Sequence, residues 1–235
     1  MRKSRVAGLV FLATAALAQQ QQSVEITSEP SHHLVLENEY VRVFNVIVAP
    51  RASTLVHRHN YDYLFVTLGD SDLINARVGE EPKPLQLKDG DVRFTPGHFA
   101  HAAVNKSDRP FHNITIELLK PTTHEQECMV NCSRDPVGAG TFTERLYLSD
   151  QWSVSVVTLA PREHLDYLGH RLPQLVVPVS NLEFSAQPGS TNSPIKRSPG
   201  QIDWLPTGVM HPLYNNGSET ARFVVLEFNA EKPKP

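Results

Sequence analysis

The chain of 235 residues has only two cysteines, two tryptophans and three methionines. With no further cysteine around the pair, a thiolate metal site gains little support. Twelve glycines, against 18 prolines, include no phosphate-cradling loop, and no serine stands in a Gly-x-Ser-x-Gly elbow. Charge of one sign is also scarce: 22 Lys and Arg face 25 Asp and Glu, a net of −3, so no electrostatic footprint for nucleic acid is present. Beyond Gln22 no segment has the periodicity of a long amphipathic helix, which removes helical DNA readers and coiled coils.

One apolar run stands out, from Val6 to Leu17, behind Arg2, Lys3 and Arg5. It is shorter than the ~20 residues that span a bilayer. Ala16 and Ala18 offer small residues for cleavage before Gln19, so residues 1–18 read as a signal peptide, with an N-terminal membrane anchor as the alternative. The expectation is a secreted or periplasmic protein with no membrane association once that segment is removed. In such a compartment Cys128 and Cys132 are expected to form a small disulfide clip, with a C-x-x-x-C metal or redox pair as the alternative. Asn105, Asn113, Asn131 and Asn216 head Asn-x-Ser/Thr triplets.

The rest of the sequence repeats. Val43 to Arg51 and Val154 to Arg162 share a pattern and end in the same Ala-Pro-Arg. Pro96 to Asn105 resembles Pro206 to Asn215, and Ile114 to Leu118 resembles Val224 to Phe228, always 110 or 111 residues apart. One unit therefore occurs twice, at 23–120 and 141–230, with a linker at 121–140 rich in Pro, Thr, Cys, Asp and Gly. Each unit reads as short strands. In the first these are Val41–Val48, Tyr63–Leu68, Val92–Thr95 and Asn113–Leu118, set off by Gly-Asp, Asp-Gly and Pro-Gly turns. In the second they are Val154–Leu159, Leu175–Val179, Ile202–Leu205 and Phe223–Phe228. The fold class is all-β, a sandwich or barrel per unit.

The chemistry concentrates at His57-Arg58-His59, whose imidazoles face one side of a strand. His101 follows a second strand, and three neutral imidazoles from two strands suit a divalent transition metal.

These residues and their spacing resemble the two consensus motifs of the cupin superfamily. The second motif places Gly90, Pro96, His101 and Asn105 at its spacings, with His98 where glycine is usual. Gly200, Pro206, Gly208, His211 and Asn215 follow it in the other unit without departure. For the first motif His57, His59 and Gly69 fit, Arg51 takes the place of the leading glycine, and the glutamate is missing. The resemblance implies two tandem cupin domains, jelly-roll β-barrels of six to eight strands, with one metal (Mn, Fe, Ni, Cu or Zn) in the mouth of the first.

Asp62 keeps the six-residue gap to Gly69 but falls one residue out of phase with His59. Either a bulge turns it in as a fourth ligand, or three histidines leave an open site. Tyr61, Tyr63 and Phe65 are expected either to line the pocket, the two tyrosines as catalytic candidates, or to be plain barrel core, and His98 to cap a turn in solvent or face the pocket mouth. In the second unit the positions of His57, His59 and Asp62 fall on Leu168, His170 and Pro173, so that barrel is read as kept for packing or dimerisation. A metal-dependent enzyme of oxygenase or isomerase type, acting on a small molecule, is the leading reading. A ligand-binding or storage-like cupin without turnover is the alternative.

Overall fold

The structure, a computed structural model, describes residues 23–121, 133–138, 140–168, 172–185, 195–208 and 211–229, with backbone alone at 133–138, 166–168 and 211–212. The segment expected to be a signal peptide, residues 1–18, the Cys128–Cys132 pair and His170 lie outside the described residues.

The first unit contains ten strands: β1 (Val24–Glu25), β2 (His32–Glu37), β3 (Val41–Val48), β4 (His57–His59), β5 (Tyr63–Leu68), β6 (Ser71–Arg77), β7 (Lys83–Leu87), β8 (Val92–Thr95), β9 (Phe99–Asn105) and β10 (Phe111–Leu118). One 3₁₀ turn, Ile26–Ser28, precedes β2. The second unit has ten more among its described residues: β11 (Ser133–Gly138), β12 (Thr141–Leu148), β13 (Trp152–Leu159), β14 (His164–Leu168), β15 (Gln174–Pro178), β16 (Leu182–Ser185), β17 (Ile195–Arg197), β18 (Asp203–Leu205), β19 (His211–Asn215) and β20 (Ala221–Phe228).

In the first unit the sheets run β1-β4-β9-β6-β7 and β2-β3-β10-β5-β8; in the second they run β14-β19-β16-β17 and β11-β12-β13-β20-β15-β18. From the second strand onwards, each label of one unit plus ten gives its counterpart in the other. The sequence repeat is thus a repeat of topology, the jelly-roll class. Ten strands replace the expected six to eight because short pieces such as β1 and β4 add themselves at sheet edges or between longer neighbours. Strand β11 falls inside the stretch read as linker. Pro136 tolerates it there because β11 is an edge strand with a register shift between Pro136 and Gly138.

Alternation along the long strands decides what faces where. Leu64, Val66, Ile114 and Ile116 turn outward from the first barrel, and Leu175, Val177, Val224 and Leu226 outward from the second, into one shared core. A buried side chain of this size contributes about 1.5–3 kcal/mol over an exposed one, so the two barrels are held together by a true core. The packing has two-fold character, since the facing residues are the repeated ones. Arg222 reaches across to the backbone carbonyl of Asp89 at 3.3 Å, while its counterpart His112 lies beside Gly200.

Inward faces differ. The second barrel is filled by Val157, Leu159, Phe184, Leu213, Phe223 and Val225. The first has a smaller apolar set at one end, including Phe44, Val46, Val48, Leu73 and Phe111. Where the second barrel has Phe223 and Val225, the first has Asn113 and Thr115, both buried polar groups. That exchange leaves room for a site.

Candidate metal centre

Strand β4 is three residues long, with His57 and His59 buried and Arg58 exposed, as alternation requires. It pairs antiparallel with β9, and the register sets His57 directly opposite His101. Three imidazoles thereby meet. One nitrogen from each of His57, His59 and His101 lies within 4.8 Å of the other two, so the group is able to hold one metal ion. The Nε2 atoms of His59 and His101 are 3.2 Å apart.

The outer nitrogens set the orientation. Nδ1 of His57 donates to the carbonyl of Leu55 at 2.9 Å, and Nδ1 of His101 donates to Oδ1 of Asn75 at 2.7 Å. Both bonds leave Nε2 unprotonated and turned toward the group, the tautomer a metal needs. Nε2 of His57 has no hydrogen-bond partner although it is buried. Burial keeps the rings neutral: it lowers His57 to about 4 and His101 to about 3, and pushes His59 well below the ordinary histidine value. Neutral, convergent imidazoles with an orphaned inner nitrogen fit a divalent transition metal.

Asp62 is elsewhere. Its Oδ1 accepts from the backbone N–H of Gly97 at 2.8 Å, and its side chain is not in the donor group. No bulge turns it in, because residues 60–62 form a short loop between β4 and β5. Its bond ties that loop to the β8–β9 turn, where the backbone N–H of His98 also donates to the carbonyl of His59 at 2.7 Å. Gly97 has no space for a side chain, as a Cβ would fall 2.3 Å from the carbonyl oxygen of Tyr61. Asp62 thus helps fix the strands that carry the histidines.

Tyr63 takes the in-phase position and stacks on His59, ring centres 4.0 Å apart. Burial raises its phenol to about 12, partly offset by a hydrogen bond with Thr95, so it stays protonated. Tyr61 lies outside the pocket: it is exposed, with Arg42 6.0 Å from its ring centre. Loop residue 61 points to solvent while strand residues 63 and 65 point inward. His98 is exposed and takes a left-handed backbone, φ 62°, where the second unit has Gly208 at φ 88°.

Three contributors were passed over in the sequence. His32 opens β2, is held by Glu29 through Nδ1–Oε2 at 2.5 Å, and lies with its ring centre 4.5 Å from that of His57. His33 beside it is exposed, and the pair His32-His33 carries no signal to separate them. Glu117 is fully buried on β10, its Oε2 3.3 Å from Arg42 and its Oε1 3.9 Å from Nδ1 of His59. Burial raises its carboxyl to about 7 against the pull of Arg42. Asn75 lies on β6, a strand with no clear alternation. A carboxylate in phase with Asn113 and Thr115 on an inward face was the available signal for Glu117.

The histidines form one wall of a cavity of about 260 Å³. Val46, Phe65, Leu73, Leu85 and Phe111 make it apolar, and Thr54, Asn75, Asn113 and Thr115 give it a few polar points. No carboxylate is among its lining residues.

Neither a protein-family model nor a curated protein matches the sequence. Solved structures do match. AerE from Microcystis aeruginosa superposes with a TM-score of 0.60 at 14% identity, over 86% of this chain and 99% of that one. Salicylate 1,2-dioxygenase from Pseudaminobacter salicylatoxidans gives 0.57 at 12% identity, over 80% and 71%. A cupin 2 conserved barrel domain protein from Leptotrichia buccalis gives 0.55 at 11%, over 84% and 88%. Identities this low speak for architecture, and that architecture, repeated strand for strand, is the fold of the cupin superfamily in a two-barrel chain.

Proposed function

We propose that this is an exported metal-dependent enzyme of oxygenase type, working on a small and largely apolar molecule in the first barrel. The observation that carries it is the convergence of His57, His59 and His101 on one point of a cavity wall. A divalent transition metal held there supplies Lewis acidity and, if redox-active, electrons for O2 chemistry. The chain supplies the rest. Asn75 and the Leu55 carbonyl hold two rings in the metal-binding tautomer. The apolar wall excludes water, and Asn113 and Thr115 orient a polar group of the substrate. Tyr63, a phenol at neutral pH, packs behind His59 and presents its ring to the cavity.

Among structures of the same fold is salicylate 1,2-dioxygenase with adducts of gentisate, a small aromatic acid, which supports the substrate size. Export follows from the basic, apolar and small-residue order of residues 1–18.

The test is metal content and O2 uptake after loading with Mn, Fe, Ni, Cu or Zn, using small phenolic and hydroxy acids. Near one metal per first barrel is expected, lost in His101→Ala and kept in His211→Ala. Binding of metal and small molecules without turnover would favour the ligand-holding reading. Equal metal uptake by wild type and His101→Ala would remove the centre altogether.

A further inference from the structure

Two buried polar atoms of the first barrel lack hydrogen-bond partners and face each other: Nδ1 of His59 and Oε1 of Glu117, 3.9 Å apart. Unmatched buried groups are costly, and a facing pair calls for an explanation. Oε2 of Glu117 is anchored by Arg42, whose other guanidinium nitrogen bonds Glu37 at 2.8 Å. The free oxygen is therefore aimed at the back of the His59 ring. Of the three histidines, His57 and His101 have their outer nitrogens bonded to neutral oxygens. His59 alone has a carboxylate there.

The second barrel separates this arrangement from the fold. Glu227 occupies the repeated position, but it accepts from Nε2 of Gln174 at 2.8 Å. Gln174 is the counterpart of Tyr63, and Ser153 stands where the first barrel has Arg42. The glutamate is common to both barrels; its arginine anchor belongs to the first alone.

We propose that Glu117 is a positioning residue of the metal centre, accepting the Nδ1–H of His59 and placing a negative charge behind an otherwise neutral donor set. The inference rests on the reading that the triad holds a metal. A neutral imidazole has one N–H; once Nε2 is given to a cation, Nδ1 carries the proton and becomes a donor pointed at Oε1. A ring or carboxylate shift of about 1 Å brings the pair to charge-assisted hydrogen-bond distance. Such partners raise ligand basicity, and removing one typically weakens metal binding ~10–100-fold.

The experiment compares wild type, Glu117→Gln, Glu117→Ala and His101→Ala. Zn(II) and Co(II) affinities are measured against a competing chelator, with the Tm of each metal-free protein. The Nδ1–H proton of His59 is followed by NMR in the Zn(II) form. Glu117→Gln is expected to bind about 10-fold more weakly or worse, to keep or raise the metal-free Tm, and to move the His59 proton resonance upfield. Wild-type affinity and an unmoved resonance in Glu117→Gln would overturn the proposal. So would a parallel fall of affinity and metal-free Tm, which marks a structural role. Failure of wild type to bind either metal would instead overturn the metal reading, and the proposal with it.

Discussion

Asn105 and Asn215 make the same set of bonds in the two barrels. Nδ2 of Asn105 donates to the carbonyls of Val48, Ala49 and Arg109 at 3.2, 3.1 and 2.8 Å. Nδ2 of Asn215 donates to Leu159, Ala160 and Glu219 at 2.9, 3.1 and 2.9 Å. Each Oδ1 accepts a backbone N–H two residues on, from Ser107 or Gly217, at 3.0 Å. One buried amide thus closes β9 or β19 against the strand that ends in Ala-Pro-Arg. Replacing Asn105 with Ala leaves several buried carbonyls unpaired and is expected to cost about 2–3 kcal/mol in chemical denaturation. A loss below about 0.5 kcal/mol, the scale of a surface change, would contradict this role. Buried as it is, Asn105 is expected to stay unglycosylated in the folded protein despite its triplet.

Acid is expected to weaken the metal-free protein through the triad. His57, at about 4, and His101, at about 3, sit below the unfolded value of 6.5, and His59 lower still. In that window the unfolded chain binds more protons, so stability is full above pH 6.5 and falls as pH drops through the folded values. Each group adds a slope of about 1.4 kcal/mol per pH unit in its window. Glu117 acts oppositely: raised from 4.5 to about 7, it favours the fold below 4.5 and loses that contribution as pH rises through 7. Three histidines outweigh one carboxyl between 4.5 and 6.5. The urea midpoint at pH 6.5 should exceed that at pH 5, and the reverse order would refute neutral, buried rings.

His98→Gly is expected to stabilise. The residue sits at φ 62°, a conformation that costs a side chain about 1–2 kcal/mol, partly offset by the greater backbone entropy of glycine. A net gain of about 0.5–1 kcal/mol in Tm-derived stability, with metal affinity unchanged, is the anticipated result. A fall in metal affinity would show that His98 reaches the centre after all.

Filling the cavity should separate metal binding from ligand binding. Asn113 and Thr115 bond each other at 2.8 Å, so replacing both leaves neither partner orphaned. Asn113→Phe with Thr115→Val installs the side chains of Phe223 and Val225. Metal content is expected to hold while small-molecule binding, read as a ligand-induced Tm shift, disappears. Retained ligand binding would place the substrate outside this cavity.

Strands β3, β5 and β8 were legible to the residue because turn formers bound them. Strands β6 and β7 were not: charged and proline-bearing segments become strands there only because β9 and each other supply partners. The His57–His59 pair followed from alternation, and the repeat from matched landmarks at one offset. Asp62 and Tyr61 show the limit, since the direction of a loop side chain depends on what the loop packs against. Here that is the Pro96-Gly97-His98 turn.

Period-two patterning, turn residues and the duplicated motif are local properties, and they are written in the chain itself. They determined an all-β protein made of one unit used twice, with a histidine cluster in its first copy. Closing distances between strands far apart in sequence is a different matter. Only packing placed His101 opposite His57, brought Glu29 with His32 and Arg42 with Glu117 to the cluster, and emptied one barrel while filling the other. Burial, which no residue has by itself, is what neutralises the imidazoles and gives the one carboxylate behind them its weight.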